Sequence, residues 1–286
     1  MPEPAAARAE RTVAPAPTFS VRPVTPAVGA EITGLDAVGA PTRTTVDTLA
    51  RLVHEHGVLF LRGLELDEDT HRAWARRFGE IQVHPRAQIS PTADITIFDS
   101  DTTPADVYLT SSWHTDATFE PCPPATALLR CSTVPITGGD TLWAGMCAAY
   151  DALSSHYQRF LIGLDALHST RKPMTQGPMK GDYAATRHPV VIVDPVTHRR
   201  ALYVNSNYTE RIEGLRQAES DALLRFLFEH IKDPALHVRL QWDERTLAIW
   251  NERITQHCAV EGHVGRRVVQ RILVRGETPP AASEGS

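Results

Sequence analysis

The sequence has little that would attach the protein to nucleic acid or to a membrane. Among 286 residues, 34 Asp and Glu outnumber 29 Lys and Arg, so there is no excess of positive charge to attract a phosphate backbone. Apolar runs stay well short of the ~20 residues that span a bilayer, and the N-terminus shows no apolar core of a signal peptide. We therefore expect a cytoplasmic protein with neither nucleic acid nor a membrane as a partner.

Cysteine is also scarce. The chain has 4 cysteines without a CxxC pair, which is too sparse for a disulfide framework, so we expect reduced thiols. A hydrophobic share of 42% and a charged share of 22% are typical of an ordinary globular protein.

Composition divides the chain into one domain and two tails. Residues 1–18 are rich in Ala, Pro and Arg and have hardly any bulky apolar side chains, which predicts a disordered N-terminal tail. We expect a single domain over residues 19–276, long enough to bury a substantial core, followed by a C-terminal tail at 277–286.

Apolar patterning predicts short strands and a few helices, without a strand-helix-strand rhythm. Helical spacing covers Thr44–His56 and Asp221–Ile231, and another helix lies between Asp67 and Gly79. Residues 137–141 are a predicted turn into a helix that contains Ala148, Tyr150 and Leu153. The predicted strands are 19–24, Val58–Leu61, Ile95–Phe98, 113–116, Ala125–Cys131, His188–Val193, Ala201–Asn205, Leu236–Trp242, Thr246–Trp250 and Val268–Val274. This pattern favours a mainly β fold with flanking helices, whose core is an antiparallel jelly roll, or double-stranded β-helix.

A histidine and an aspartate lie two residues apart in Trp113-His114-Thr115-Asp116. In an extended segment, the alternation of side chains would direct His114 and Asp116 to the same point. With a second histidine from far along the chain, for which His257 is the candidate, they would form the two-histidine, one-carboxylate site that leaves positions of an Fe(II) open. The triplet alone is weak evidence, because a chain with 13 histidines often contains one by chance.

Two arginines share one face of the last predicted strand. Period-two alternation places Arg267, Val269 and Arg271 on that face. Two cations facing one way in an apolar strand indicate anion binding, since a guanidinium holds a carboxylate or sulfonate through paired hydrogen bonds. The alternative is a pair of surface salt bridges.

Four separated motifs occur in order along the chain: WHTDATF at 113–119, GGDTLW at 138–143, TQH at 255–257, and the Arg267 and Arg271 pair. Together they resemble the taurine dioxygenase (TauD/TfdA) family of Fe(II)- and 2-oxoglutarate-dependent dioxygenases. The resemblance covers the chain from Phe19 to Gly276. It implies a jelly-roll fold and a requirement for Fe(II), 2-oxoglutarate and O2.

The resemblance also implies a role for each matched residue. His114, Asp116 and His257 would ligate the Fe(II), while Thr141 and Arg267 would hold the far carboxylate of 2-oxoglutarate. For Thr141, the alternative from the residues alone is a simple helix cap.

Substrate-binding residues are implied as well. Arg271 matches the position that grips an acidic group of the substrate, and His84, Phe119 and Tyr208 match positions that line the substrate pocket. At Thr110, taurine-cleaving members carry an asparagine that would meet the substrate amine. Its absence weakens taurine as the substrate.

Two further features bear on the chemistry. An intact Asp116 favours hydroxylation, because related halogenases replace this carboxylate with a small residue so that chloride can bind the metal. Where the family commonly has Asp-Asn-Arg, this chain has Asn251-Glu252-Arg253, which would change hydrogen bonds around the ligands without touching the iron.

The implied reaction couples conversion of 2-oxoglutarate and O2 into succinate and CO2 to hydroxylation of a C–H bond in a small anionic substrate. Sulfonates, alkyl sulfates, aryloxyalkanoates and other carboxylates, including amino acid derivatives that could be hydroxylated or desaturated, stay open as substrates. The oligomeric state also stays open, with a homodimer or homotetramer as candidates. The alternative of another class is a non-catalytic sensor of a 2-oxo acid or anion on the same scaffold.

Overall fold

The computed structural model describes residues 19–35, 39–83, 94–103, 111–171 and 184–283. The predicted N-terminal tail at 1–18 lies outside these ranges. None of the helices within them has the length and apolar character that crossing a membrane requires.

Helix boundaries follow capping signals in the sequence. Asp67 Oδ1 accepts the backbone N–H of Thr70 at 2.7 Å and so begins the second helix, as predicted. Gly57, with φ 76°, ends the first helix where a glycine cap is expected. The described α-helices are α1 (Arg43–His56), α2 (Glu68–Phe78), α3 (Met146–Asp151), α4 (Ser155–Leu161) and α5 (Gln217–His230).

Short strands make up most of the remaining regular structure. Those of the first half are β1 (Ser20–Pro23), β2 (Ala30–Thr33), β3 (Val58–Leu61), β4 (Ile81–Gln82), β5 (Thr96–Asp99), β6 (Thr126–Thr133), β7 (Thr141–Gly145) and β8 (Asp165–Ser169). Those of the second half are β9 (Ala185–Pro189), β10 (Val191–Val193), β11 (Arg200–Leu202), β12 (Thr209–Ile212), β13 (His237–Leu240), β14 (Leu247–Asn251), β15 (Thr255–Ala259) and β16 (Val268–Val274).

Two sheets form the core of the fold. The larger has the strand order β1-β2-β3-β14-β6-β16-β4, with β5 also paired to β16, and the other has the order β13-β7-β15. Rings from the two sheets meet between them, because Trp143 of β7 lies 5.4 Å from Phe60 of β3 and 5.6 Å from Trp250 of β14, measured between centroids. The prediction of a mainly β, jelly-roll protein is confirmed.

The predicted helix with Ala148 and Tyr150 is present as α3, but it does not follow directly on the turn that ends at Thr141. Thr141 begins β7, which pairs antiparallel with β13 on one side and β15 on the other. The helix begins only at Met146, and Leu153, which was expected inside it, lies beyond its end. Cross-strand pairing and burial override the local turn signal of the two preceding glycines.

Strand β15 was not predicted, although it carries His257. Its sequence, TQHCA, has no clear alternation of apolar and polar residues, yet four of its five residues are buried. The backbone groups of β15 can be buried because β7 supplies their hydrogen-bond partners.

Beyond the predicted domain boundary at residue 276, the chain runs alongside β10. Val193 N donates to Ala281 O at 3.1 Å, and Ser283 N donates to Val191 O at 3.3 Å. These backbone hydrogen bonds extend the small β10-β11 sheet by one short segment.

Gly57 joins α1 to β3 at a point where β15 approaches closely. A Cβ atom at this position would lie 2.9 Å from Thr255 Cγ2 and 3.0 Å from Val28 Cγ2. Asn251 N also donates to Gly57 O at 2.9 Å. The glycine therefore permits the contact that holds the start of β15 in place.

Replacing Gly57 with alanine should destabilise the fold more than the same change at Gly63. Both glycines have positive φ, which costs an alanine about 1–2 kcal/mol, but a Cβ at Gly63 would meet nothing within 4 Å. We expect Gly57→Ala to lower the free energy of unfolding by a further ~1–3 kcal/mol because of the clash. Guanidinium denaturation followed by tryptophan fluorescence measures both variants, and equal losses would contradict the close contact.

Candidate metal centre

A backbone contact brings the two predicted histidine ligands together. His114 and His257 form an isolated antiparallel bridge. His114 N donates to His257 O at 3.1 Å, and His257 N donates to His114 O at 2.9 Å. Since β15 is fixed by its pairing with β7, this bridge positions the segment that carries His114.

The predicted strand at Trp113–Asp116 is wrong beyond this bridge. Asp116 begins a turn in which Ala117 has φ 49°. Side-chain hydrogen bonds take the place of a strand ladder: Thr115 Oγ1 donates to Thr255 O at 3.0 Å, and Asp116 N donates to Glu252 Oε2 at 3.1 Å. A turn held by β15 and its preceding loop, rather than strand alternation, brings Asp116 to the histidines.

His114, Asp116 and His257 each offer one ligand atom, and these atoms lie within 4.8 Å of one another. His114 Nε2 is 3.6 Å from Asp116 Oδ1, and the two imidazole centroids are 4.2 Å apart. All three residues are buried. Within the described part of the chain, this is the group of His, Cys, Asp and Glu residues that is arranged to hold a metal ion.

The surroundings of both imidazoles favour the neutral form, which is the form that binds a metal. His114 Nδ1 donates to Ser112 O at 2.9 Å, which leaves the Nε2 lone pair for a ligand. Burial lowers the pKa of His114, against the opposing effect of Asp116. Burial and the neighbouring His114 hold the pKa of His257 well below its ordinary value. Neutral histidines can therefore bind a metal without first losing a proton.

This donor set fits Fe(II). Two neutral imidazoles and one carboxylate on one side of the ion are the ligands of the non-haem iron oxygenases, which leave the remaining positions open. His257 Nδ1 is buried and has no hydrogen-bond partner among the described residues. A buried polar atom without a partner is costly in a dry core, and a cation held by these three side chains would offset that cost.

A cavity opens beside the three ligands, between the two sheets. One wall comes from β7 and β15 and the other from β5, β6, β14 and β16. The lining residues are Phe98, His114, Leu129, Thr141, Trp250, His257, Ala259, Arg267, Val269 and Arg271. The predicted alternation on β16 therefore holds, because Arg267, Val269 and Arg271 face the same cavity.

Thr141 and Arg267, the predicted 2-oxoglutarate residues, both line this cavity. Trp242 Nε1 donates to Thr141 Oγ1 at 3.0 Å, so the hydroxyl hydrogen of Thr141 can point to another acceptor. Arg267 Nε donates to Gly139 O at 2.8 Å. A Cβ on Gly139 would lie 2.7 Å from Arg267 Cδ, so only glycine leaves room for the arginine there.

Arg271 lies against the metal-ligand group. Its Nη1 is 2.9 Å from Asp116 Oδ1 and 2.7 Å from Asp116 Oδ2. Its guanidinium carbon is 5.3 Å from the centroid of the Phe98 ring. Arg267 and Arg271 are 3% and 9% exposed, which excludes the alternative of surface salt bridges.

The remaining predicted substrate residues are only partly described. Phe119 and Tyr208 are buried and pack edge to face, with ring centroids 5.3 Å apart, in a small cluster with Ala117. They are not among the residues that line the cavity. His84 and Thr110 lie outside the described residues.

Two of the residues that orient the ligands and the cavity residues were not predicted, while a third, Glu252, lies in the predicted departure at Asn251-Glu252-Arg253. Glu252 is fully buried, and burial together with the charge of Asp116 raises its pKa well above the ordinary value. Trp242 orients Thr141, and the Ser112 carbonyl orients His114. The departure at Asn251-Glu252-Arg253 was the one signal that pointed to Glu252; nothing in the sequence singled out Trp242 or Ser112.

Comparison with known proteins agrees with this arrangement. The sequence pattern of the taurine catabolism dioxygenase TauD, TfdA family matches residues 20–273. An alkylsulfatase from Acinetobacter baylyi is 34% identical, over 94% of this chain and 88% of its own. An alpha-ketoglutarate-dependent sulfate ester dioxygenase from Pseudomonas putida is 32% identical, over 91% of each chain. The crystal structure of a taurine dioxygenase from Burkholderia xenovorans is 29% identical, with a TM-score of 0.79 over 94% of this chain and 97% of that one.

A jelly roll that holds two histidines and one carboxylate at the edge of an internal cavity defines a non-haem iron oxygenase. The protein is an Fe(II)- and 2-oxoglutarate-dependent dioxygenase that uses O2. More narrowly, the chain belongs to the taurine catabolism dioxygenase TauD, TfdA family.

We predict that Asp116→Ala weakens Fe(II) binding and abolishes the succinate release that is coupled to substrate hydroxylation, because the ion loses its one carboxylate ligand. Asp69→Ala is the matched control, since its side chain is 94% exposed on α2. Metal content after dialysis and succinate formation measure the two effects. Hydroxylation at the wild-type rate in Asp116→Ala would remove this carboxylate from the ligand set.

Proposed function

We propose that the protein oxidises alkyl sulfate esters or alkyl sulfonates at the carbon that bears the sulfur-containing group. The observation that carries this proposal is Arg271, a buried guanidinium beside the metal-ligand group whose Nε has no hydrogen-bond partner among the described residues. A buried donor without a partner is costly, and an oxygen atom of an anionic substrate would satisfy it. Relatives named as an alkylsulfatase and as a sulfate ester dioxygenase support a sulfur oxyanion over a carboxylate.

In this proposal, His114, Asp116 and His257 hold the Fe(II). When bound, Fe(II) and 2-oxoglutarate supply the oxidising power that replaces a substrate hydrogen by hydroxyl, with O2 consumed and succinate and CO2 released. The protein's own residues bind and orient. Ser112 fixes the imidazole of His114, and Glu252 fixes the backbone of Asp116, so the three ligands are arranged before the metal arrives.

Thr141 and Arg267 are proposed to hold the far carboxylate of 2-oxoglutarate. Both are buried, so a carboxylate between them would be shielded from water and bound by a hydroxyl and a guanidinium together. The indole of Trp242 leaves the Thr141 hydroxyl free to donate, and Gly139 fixes the position of Arg267.

Arg271 is proposed to hold the sulfate or sulfonate of the substrate, with His84, Thr110, Phe119 and Tyr208 as further predicted pocket residues. Apolar side chains near Arg271 suit an alkyl chain: Phe98, Leu129 and Val269. An anion held beside the metal presents its attached carbon to the oxidant. A sulfate ester hydroxylated at that carbon breaks down to an aldehyde and sulfate, so hydroxylation is observed as cleavage.

We expect Fe(II)-dependent succinate release with hexyl sulfate or hexanesulfonate, and much less with hexanoate or taurine. Mass spectrometry should find hexanal and inorganic sulfate in amounts equal to the succinate formed from hexyl sulfate. Succinate release with hexanoate alone would contradict the proposed substrate class. Absence of succinate with every compound, including no uncoupled turnover, would favour the sensor.

We expect substitutions of Arg271 and Arg267 to raise different Michaelis constants in steady-state kinetics. Because a charge-assisted hydrogen bond contributes about 1.5–3 kcal/mol, Arg271→Ala should raise KM for hexyl sulfate by about 10- to 100-fold. KM for 2-oxoglutarate should change less than about threefold.

Arg267→Ala is the matched control from the same face of β16. It should raise KM for 2-oxoglutarate and leave that for hexyl sulfate nearly unchanged. The reverse pattern would mean that the two arginines exchange roles.

A further inference from the structure

Arg271 forms an ion pair with a metal-ligand residue when no substrate is bound. One of its nitrogens, Nη1, contacts both carboxylate oxygens of Asp116, at 2.9 and 2.7 Å. The side chains of the two residues are only 10% and 3% exposed. In a buried site, an ion pair of this kind is strong, because water does not compete for either charge.

A metal ion that binds Asp116 changes this contact in two ways. It takes up an oxygen that Arg271 contacts, and it places a second positive charge beside the guanidinium. Charges of the same sign repel strongly in a buried site. Metal binding therefore weakens the ion pair between Asp116 and Arg271.

An anion relieves the same conflict from the other side. Arg271 Nε is already without a hydrogen-bond partner among the described residues, so the guanidinium has a donor for an incoming sulfate. An anion bound to Arg271 offsets the repulsion between the guanidinium and the metal ion. The Phe98 ring beside the guanidinium keeps it within the cavity while its partner changes.

We propose that Arg271 couples metal binding to anion binding. In the metal-free protein it holds Asp116, and when the metal occupies that carboxylate the arginine turns its donors to the substrate anion. Each ligand then raises the affinity for the other by the same factor, as linkage requires. The proposal rests on Arg271 being the anion anchor, but it concerns the order in which the site fills rather than the reaction that follows.

Mn(II) titration with hexyl sulfate as the anion tests the coupling without turnover. Calorimetry without 2-oxoglutarate gives the Mn(II) affinity of the wild-type protein, with and without saturating hexyl sulfate. We expect hexyl sulfate to tighten Mn(II) binding about tenfold, a factor equivalent to about 1.4 kcal/mol. An unchanged affinity would overturn the proposal even if succinate assays support the proposed reaction.

Arg271→Gln sharpens the test. Without hexyl sulfate, this variant should bind Mn(II) about tenfold tighter than wild type, because Asp116 no longer has a competing cation, and hexyl sulfate should have no further effect. Mn(II) affinity equal to or weaker than that of wild type would overturn the proposal.

Arg267→Gln is the control for a general effect of charge. It removes the same charge four residues earlier on the same strand face, where the Arg267 Nε contacts the Gly139 carbonyl. It should keep the response to hexyl sulfate and gain less than about twofold in Mn(II) affinity. A gain equal to that of Arg271→Gln would overturn the proposal. Should Arg271→Gln fail to fold by circular dichroism, the wild-type titration decides alone.

Discussion

The pair of backbone hydrogen bonds between His114 and His257 is the contact on which the site depends. His257 lies in β15, whereas His114 lies in a segment outside the helices and strands. β15 is a short, polar strand held by β7, and His114 enters the site through this single bridge. The turn that follows carries Asp116 and is tied by side chains to the loop before β15. The three ligands are therefore positioned by one small region of backbone.

The second constraint is the cost of burying charge. Asp116, Glu252, Arg267 and Arg271 are all less than 10% exposed. Such groups persist only when they are paired, neutralised or bound to a ligand. The structure uses all three: Arg271 pairs with Asp116, the environment of Glu252 favours its neutral form, and the cavity leaves donors for anions.

Much of the fold could be predicted because the strands of the larger sheet are strongly apolar. Val58–Leu61 and Val268–Val274 were recognised with their observed bounds, and Gly57 and Asp67 mark helix ends through their own backbone and side-chain chemistry. β7 and β15 were not predicted, because their conformation comes from pairing with distant segments rather than from local patterning. For the same reason the strand assigned to the residues around Asp116 was wrong.

The metal ligands could be proposed from spacing and from a family resemblance, while their supports could not. Trp242 and Ser112 are ordinary residues in sequence, and their hydrogen bonds to Thr141 and His114 exist only once the two sheets face each other. Glu252 stood out only as a departure from a motif. Residues that orient ligands carry no sequence signal of their own, because their chemistry is defined by a neighbour that the chain brings from elsewhere.

We infer that one cavity holds the metal on His114, Asp116 and His257 and the far carboxylate of 2-oxoglutarate between Thr141 and Arg267. A crystal structure of the protein grown with Mn(II) and 2-oxoglutarate, with the metal located by its anomalous scattering, tests this directly. We expect Mn(II) to be bound by those three side chains and the carboxylate to lie between Thr141 and Arg267. A metal bound elsewhere, or 2-oxoglutarate held by Arg271 with Arg267 left empty, would contradict it.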